Sequence, residues 1–282
     1  MDIFKQFRTG YIMRDLNGTE KKIAIVTGGS SGIGKAVCEC LAGQGVKVYE
    51  FSRRQAGGGP VVHYGVDVTD EGQVQAAVLD IINREGRIDI AVNCAGFGIG
   101  GAVEFTQTQD AVRQLDVNFF GMVRVNKAVI PHMRAAGCGR IVNISSVAAP
   151  IPIPFQTYYS VSKSAINSYT AALANELRPY GISVCAVMPG DIASGFTKAR
   201  EKSIEGDAEY GGRIQRSLEK MEKDEREGMS PARCGKYIAK IALKKNVKPY
   251  YSVGFIYKLF CVLIKILPAR LSNRIIYSLY AS

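Results

Sequence analysis

Tyr159 and Lys163 stand four residues apart in Tyr159-Ser160-Val161-Ser162-Lys163. On a helix that spacing puts both side chains on one face. A free phenol has a pKa near 10, too high for an efficient acid or base at neutral pH, and a neighbouring ammonium favours the phenolate. The pair therefore predicts proton transfer by a tuned tyrosine. Tyr158 has no such partner, because Ser162 lies four residues beyond it. A second constellation is Thr27-Gly28-Gly29-Ser30-Ser31-Gly32-Ile33-Gly34, between an apolar run and a helical pattern. Glycines there let the backbone turn sharply and approach a pyrophosphate, and the following helix N-terminus offers oriented N–H groups to the anion. Gly28 to Gly32 also fit G-x-S-x-G, the nucleophile elbow of serine hydrolases. That chemistry needs a later acid and then a histidine. The only histidines are His63, in a strand-like run, and His132, after Pro131 at a helix end. A nucleophile on the first strand is also too early for that fold, so the hydrolase is set aside.

These residues need elements to hold them. The chain has 282 residues, 47% hydrophobic and 22% charged, which excludes disorder and suits one large α/β domain. Apolar runs at 23–26, 46–49, 61–64, 88–92, 140–144 and 182–187 read as strands. Segments 34–44, 71–84, 110–134 and 159–178 read as helices. That alternation predicts a doubly wound parallel sheet of Rossmann type, in three layers, with a helical C-terminal extension. We read 21–282 as a single domain, preceded by an extension over 1–20. Sixteen of the 28 positions from Arg200 to Glu227 are charged, with Gly206, Gly211 and Gly212 among them. Residues 196–230 are expected to form a lid over a ligand.

The net charge of +11 is uneven: from Gly228 to Ser282 there are ten Lys/Arg and no Asp or Glu. A solvated basic surface is the expectation, with acidic lipid or a phosphorylated ligand as alternatives; no zinc-finger or aromatic-basic pattern points to nucleic acid. Within 254–282, the run Phe255 to Leu267 contains Lys258 and Lys265 and is too short and too charged to span a bilayer. It is expected to wall a substrate pocket or a subunit contact, with peripheral membrane contact as the other reading. Seven scattered cysteines without C-x-x-C read as reduced thiols of a cytoplasmic protein. The N-terminus lacks the apolar stretch of a signal peptide, and two histidines argue against a multi-histidine metal site.

Taken in order, the motifs make residues 21–195 closely similar to the short-chain dehydrogenase/reductase family. Its T-G-x-x-x-G-x-G loop is met by Thr27, Gly28, Gly32 and Gly34, and its adenine motif by Asp67-Val68. Its N-N-A-G appears as Asn93-Cys94-Ala95-Gly96, with a small cysteine as the departure. The mid-helix asparagine corresponds to Asn118, and the 13-residue gap to the tyrosine selects Ser146 over Ser145. Tyr159 and Lys163 meet Y-x-x-x-K, and Pro189, Gly190, Ile192 and Ser194 meet the segment after the last matching strand. The resemblance implies a catalytic set of Asn118, Ser146, Tyr159 and Lys163. Tyr159 exchanges a proton with the substrate oxygen and Ser146 orients that oxygen. Lys163 tunes Tyr159 and holds the nicotinamide ribose, and Asn118 holds a water linking Lys163 to solvent. The implied cofactor-binding set is Gly28, Ser30, Ser31, Gly32, Ile33, Gly34, Ser52, Arg53, Arg54, Asp67, Val68, Asn93, Ala95, Gly96, Tyr159, Lys163, Pro189, Gly190, Ile192 and Ser194.

Ser52 stands where an acidic residue would bind the adenosine ribose, and Arg53 and Arg54 suit a 2′-phosphate, so NADP(H) is expected over NAD(H). Glu50 is the counter-argument, since a register two residues different would bring it to the ribose. The apolar loop from Val147 to Phe155, with Phe97, Ile99 and Met188, predicts a lipophilic ketone or secondary alcohol. The long segment after Ser194 resembles hydroxysteroid and retinol dehydrogenases, which favours a hydroxysteroid. A 3-oxoacyl or acyl-ketone reductase is the alternative, and a non-catalytic NADP-binding member the third reading. The resemblance further implies a homodimer or homotetramer.

Overall fold

The computed structural model describes residues 21–54 and 59–282; the expected extension over 1–20 lies outside the described residues. β1 (Ile23–Thr27) is buried along its whole length because apolar residues serve both faces. Ile23 and Ile25 enter one core, Ala24 and Val26 the other. The chain then runs through α1 (Gly32–Ala42), β2 (Lys47–Ser52), β3 (Val61–Gly65), α2 (Glu71–Glu85), β4 (Ile90–Asn93), β5 (Ile99–Gly100) and α3 (Thr108–Leu115). Next come α4 (Gly121–Ala136), β6 (Gly139–Ile144), α5 (Thr157–Leu177), β7 (Ile182–Pro189), α6 (Phe196–Ala199) and β8 (Glu201–Lys202). α7 (Arg213–Arg226), α8 (Pro231–Ala242), β9 (Tyr250–Val253), α9 (Phe255–Ile266) and α10 (Ala269–Tyr280) complete it.

Seven strands form one parallel sheet in the order β3-β2-β1-β4-β6-β7-β9. On one face α1 and α8 bury Val37, Leu41, Ile238 and Ile241 against Ala24, Val92 and Val142. On the other, α2, α4 and α5 bury Ile81, Val129 and Leu173 against Ile25, Ala91 and Ile141. Each fully buried aliphatic side chain contributes about 1.5–3 kcal/mol, so these two layers dominate the stability. The three-layer doubly wound fold is the one expected.

Three features differ from the expectation. The single helix over 110–134 is instead α3, a π-helical turn from Asp116 to Phe120, and α4. β9 was not foreseen: it pairs with β7 from Ala186↔Tyr250 to Pro189↔Val253. β5 and β8 form a small second sheet that ties the loop after β4 to the segment after α6. Among the described residues no helix is long and apolar enough to cross a membrane.

Candidate active site

A cleft of about 880 Å³ opens at the C-terminal ends of β1 and β4, where the strand order reverses direction. That crevice is the usual ligand position in an open parallel sheet. At one end β1 delivers the glycine loop. Gly28 has φ +67°, and a Cβ on it would lie 3.0 Å from the backbone of Ala95. A Cβ on Gly34 would lie 2.2 Å from the Gly28 carbonyl oxygen, so the turn exists only without those side chains. Thr27 fixes the loop to its neighbour: its Oγ1 accepts from the N–H groups of Cys94 and Ala95, both at 3.0 Å. Ser31 precedes α1 with a hydroxyl that does not cap the helix. Uncommitted hydroxyls and N–H groups around a bare backbone turn fit a pyrophosphate.

β2 ends on Ser52, whose Oγ donates to the Arg54 carbonyl at 2.7 Å, and exposed Arg53 and Arg54 follow along the cleft wall. Glu50 does not reach the cleft. It is fully buried and paired with His63, and of Glu50 and Ser52 it is Ser52 that lines the cleft. Asp67 and Val68 line the cleft beside Arg53, Asp67 lying 3.9 Å from it and accepting from Thr69 N and Oγ1 at 2.9 and 2.8 Å.

At the other end stand Ser146, Tyr159 and Lys163. α5 puts Tyr159 and Lys163 on one face, with Lys163 Nζ 5.5 Å from the phenol ring centroid. Nζ donates to the Ile144 carbonyl at 2.9 Å, and Ser145 Oγ donates to the Lys163 carbonyl at 3.0 Å, so the β6 end and α5 grip each other. Ser146 is left for the cleft, accepting from Ala148 N at 3.1 Å.

The electrostatics differ from the expectation that the ammonium lowers the phenol pKa. Burial pushes Tyr159 up to about 12, with Ser146 acting the other way. Burial likewise pushes Lys163 down to about 8. Desolvation disfavours both charged forms, and Nζ is spent on a carbonyl rather than on the phenol oxygen. At neutral pH Tyr159 is a protonated phenol, a proton donor.

Of the expected set, all but two residues line this cleft. Asn93 is a correction: it is buried, and its Nδ2 donates to Asn126 and Asn143 Oδ1 at 2.8 and 2.9 Å, bracing β4 against α4 and β6. Asn118 sits behind the wall in the π turn, accepting from Phe97 N and donating to Phe97 O, both at 2.9 Å, and donating to Ser162 Oγ at 3.1 Å. Phe97 lines the cleft as expected; Ile99 and Met188 do not. Phe155 turns away with φ +57°, its ring 5.8 Å from that of Tyr210 beneath α7. The run 255–267 does not wall the cleft either: of α9 only Cys261 is buried.

Sequence reasoning missed Gln156, Asp191, Met221, Glu225 and Tyr280, all of which line the cleft. Gln156 carried a signal, standing one helical turn before Tyr159. Tyr280 lies more than eighty residues beyond the last motif and carried none. Tyr257 donates to Asp191 Oδ2, and Glu225 pairs with the buried Arg200 guanidinium while accepting from Thr197 Oγ1 at 2.6 Å. With its amide oxygen turned to Arg200, Gln156 accepts from Nε and Nη2 at 2.9 and 3.0 Å.

A parallel sheet of this order, with a tyrosine, lysine and serine at the end of its crevice, defines a Rossmann-type oxidoreductase. The model of the short chain dehydrogenase family matches residues 22–205, and the chain belongs to that family. It is 44% identical over 230 residues to a 3-ketodihydrosphingosine reductase of Bacteroides thetaiotaomicron, covering 80% of this chain and 86% of that protein. Among solved structures it is similar to a short-chain dehydrogenase from Streptomyces avermitilis, with a TM-score of 0.78, 28% identity, and 92% and 96% of the two chains covered. It is also similar to ElxO with NADP bound, with a TM-score of 0.71, 27% identity, and 85% and 99% covered. The protein is thus an oxidoreductase of CH–OH and keto groups.

Proposed function

We propose that this chain is an NADP(H)-dependent reductase of a lipophilic ketone on a long-chain lipid. The observation that carries this reading is the continuity of one cleft, from Arg53 and Arg54 past the glycine loop to Tyr159 and Ser146. The arginines suit a 2′-phosphate, and the buried Glu50 removes the carboxylate that would compete for the ribose. The likeness to the 3-ketodihydrosphingosine reductase supports a lipid ketone, in place of the hydroxysteroid expected from the length of the C-terminal segment. The likeness to ElxO with NADP bound supports the phosphorylated cofactor.

Bound nicotinamide supplies the hydride for the carbonyl carbon. Tyr159, protonated at neutral pH, donates its proton to the carbonyl oxygen, and Ser146 Oγ donates a hydrogen bond to the same oxygen as charge develops on it. Lys163 holds the nicotinamide ribose and returns a proton to the Tyr159 oxygen after transfer. Asn118 fixes Phe97 and the Lys163-bearing helix, and through the water implied by the resemblance connects Lys163 to solvent. Phe97, Val147, Ile153, Phe196 and Met221 give the carbonyl's alkyl arms an apolar wall.

Absorbance at the NADPH band tests the reading across long-chain lipid, steroid and 3-oxoacyl ketones. Tyr159→Phe is expected to lower turnover by about 10²- to 10⁴-fold while NADPH binding is retained. Undiminished turnover would overturn the catalytic assignment. Faster reduction of steroids or acyl thioesters than of long-chain lipid ketones would overturn the substrate class.

A further inference from the structure

The C-terminal helices present a face that nothing among the described residues covers. On α9, Phe255, Ile256, Leu259, Val262 and Ile266 are exposed, Phe255 at 84% and Ile266 at 73%; α10 adds Leu271 and Leu279. A stripe of large apolar side chains on two consecutive helices exceeds the scattered exposure normal for a folded surface. α9 is seated firmly on the other side. The Tyr257 ring fills the space a side chain at Gly190 would need, its hydroxyl donates to Asp191, and Cys261 is buried. The apolar face therefore cannot turn inward.

We infer that α9 and α10 dock on an anionic lipid bilayer. Charge selects this occupant. The same two helices carry exposed Lys258, Lys265, Arg270 and Arg274, and no Asp or Glu occurs after Gly228. Apolar side chains flanked by cations match the boundary between acyl chains and acidic headgroups. A second copy of the chain packed through this face would bring these cations against their own copies. At twelve residues each, or about 18 Å, the helices are too short to span and would lie in the plane of the interface. Each basic residue brought to an anionic surface is worth about a fivefold gain in affinity. Tyr280, at the end of α10, lines the cleft, so docking brings the substrate end of the site beside the acyl layer. Delivery of a lipid ketone rests on the function proposed above; docking itself does not.

Flotation of the full-length protein with vesicles separates the two. It is expected to bind phosphatidylcholine vesicles containing phosphatidylglycerol, to bind pure phosphatidylcholine at least tenfold more weakly, and to be released at about 0.5 M salt. The surface variants Phe255→Glu/Ile266→Glu and Lys258→Glu/Lys265→Glu should each lose binding at least tenfold. Both should keep NADPH binding and turnover of a small water-soluble ketone, which also reports that they fold. No binding to the anionic vesicles, undiminished binding by either variant, or a dimer that Phe255→Glu/Ile266→Glu dissociates would overturn the inference. The last result would make a second copy the occupant. Vesicle binding without reduction of any lipid ketone would uphold the docking surface and overturn the substrate class instead.

Discussion

Lys163 is a buried ammonium with one carbonyl partner, and the cost of holding it there is readable against pH. Its ordinary value of 10.5 falls to about 8 in the folded protein. Below about 8 the group is charged in both states, and the folded state carries the full desolvation penalty. Between about 8 and 10.5 the unfolded chain binds more protons than the folded one, so this contribution to stability rises with pH. Above that window the penalty is gone. Lys163→Met is therefore expected to raise the Tm at pH 7 relative to its effect at pH 10, by the equivalent of about 1–3 kcal/mol, while abolishing turnover. The lost bond to Ile144 acts at both pH values, so the difference isolates the charge. Thermal unfolding at the two pH values checks this, and equal shifts would refute it. Arg53 offers the complementary test, since its side chain is 74% exposed and its ion pair with Asp67, at 3.9 Å, is a surface one that contributes little to the fold. Arg53→Asp should weaken NADPH roughly ten- to hundredfold, as expected for a lost charged hydrogen bond, and leave NADH nearly unchanged; equal weakening in a titration would refute the phosphate role.

At the scale of elements, α7 and the segment before it are latched to the cleft by ion pairs. Arg113 pairs with Glu201, Lys202 with Glu222, and Arg200 with Glu225. The first two are surface pairs and contribute little. The third differs because the Arg200 side chain has no exposed area and its Nη1 has no partner. Removing its carboxylate strands a buried cation, a loss of about 3–5 kcal/mol. Glu225→Ala is thus expected to lower the Tm by several degrees and, on the reading that α7 walls the substrate end of the cleft, to raise KM for the ketone without changing the Kd for NADPH. A matching rise in the NADPH Kd would show that α7 belongs to the cofactor half instead.

On the scale of the whole molecule, legibility followed locality. The glycine loop, Asp67-Val68, Ser146 and the Tyr159/Lys163 pair are short segments whose spacing dictates their geometry, and the strand-helix alternation fixed the sheet that presents them. Asn93 misled because an asparagine at a strand end can face either the cleft or the core, and only Asn126 and Asn143 decide which. Glu225 and Tyr280 were illegible because their partners come from distant parts of the chain, as does the pairing that makes Tyr250–Val253 a strand. The same non-locality has a thermodynamic consequence. The cleft is walled by β1, β2 and β4 on one side and by β6, β7 and α5 on the other, so a bound dinucleotide bridges both halves of the sheet. Ligand that binds only the folded state at a hundredfold its Kd adds about 2.7 kcal/mol. For a chain of this size that is a rise in Tm of about 5 °C. NADPH should produce that rise in the unmodified protein and in Tyr159→Phe, and a single unfolding transition should persist. Gly34→Ala, whose new Cβ would press on the Gly28 carbonyl, should abolish the rise. Two resolved transitions with only the first moved by NADPH would mean that the cofactor braces the β1–β4 half alone.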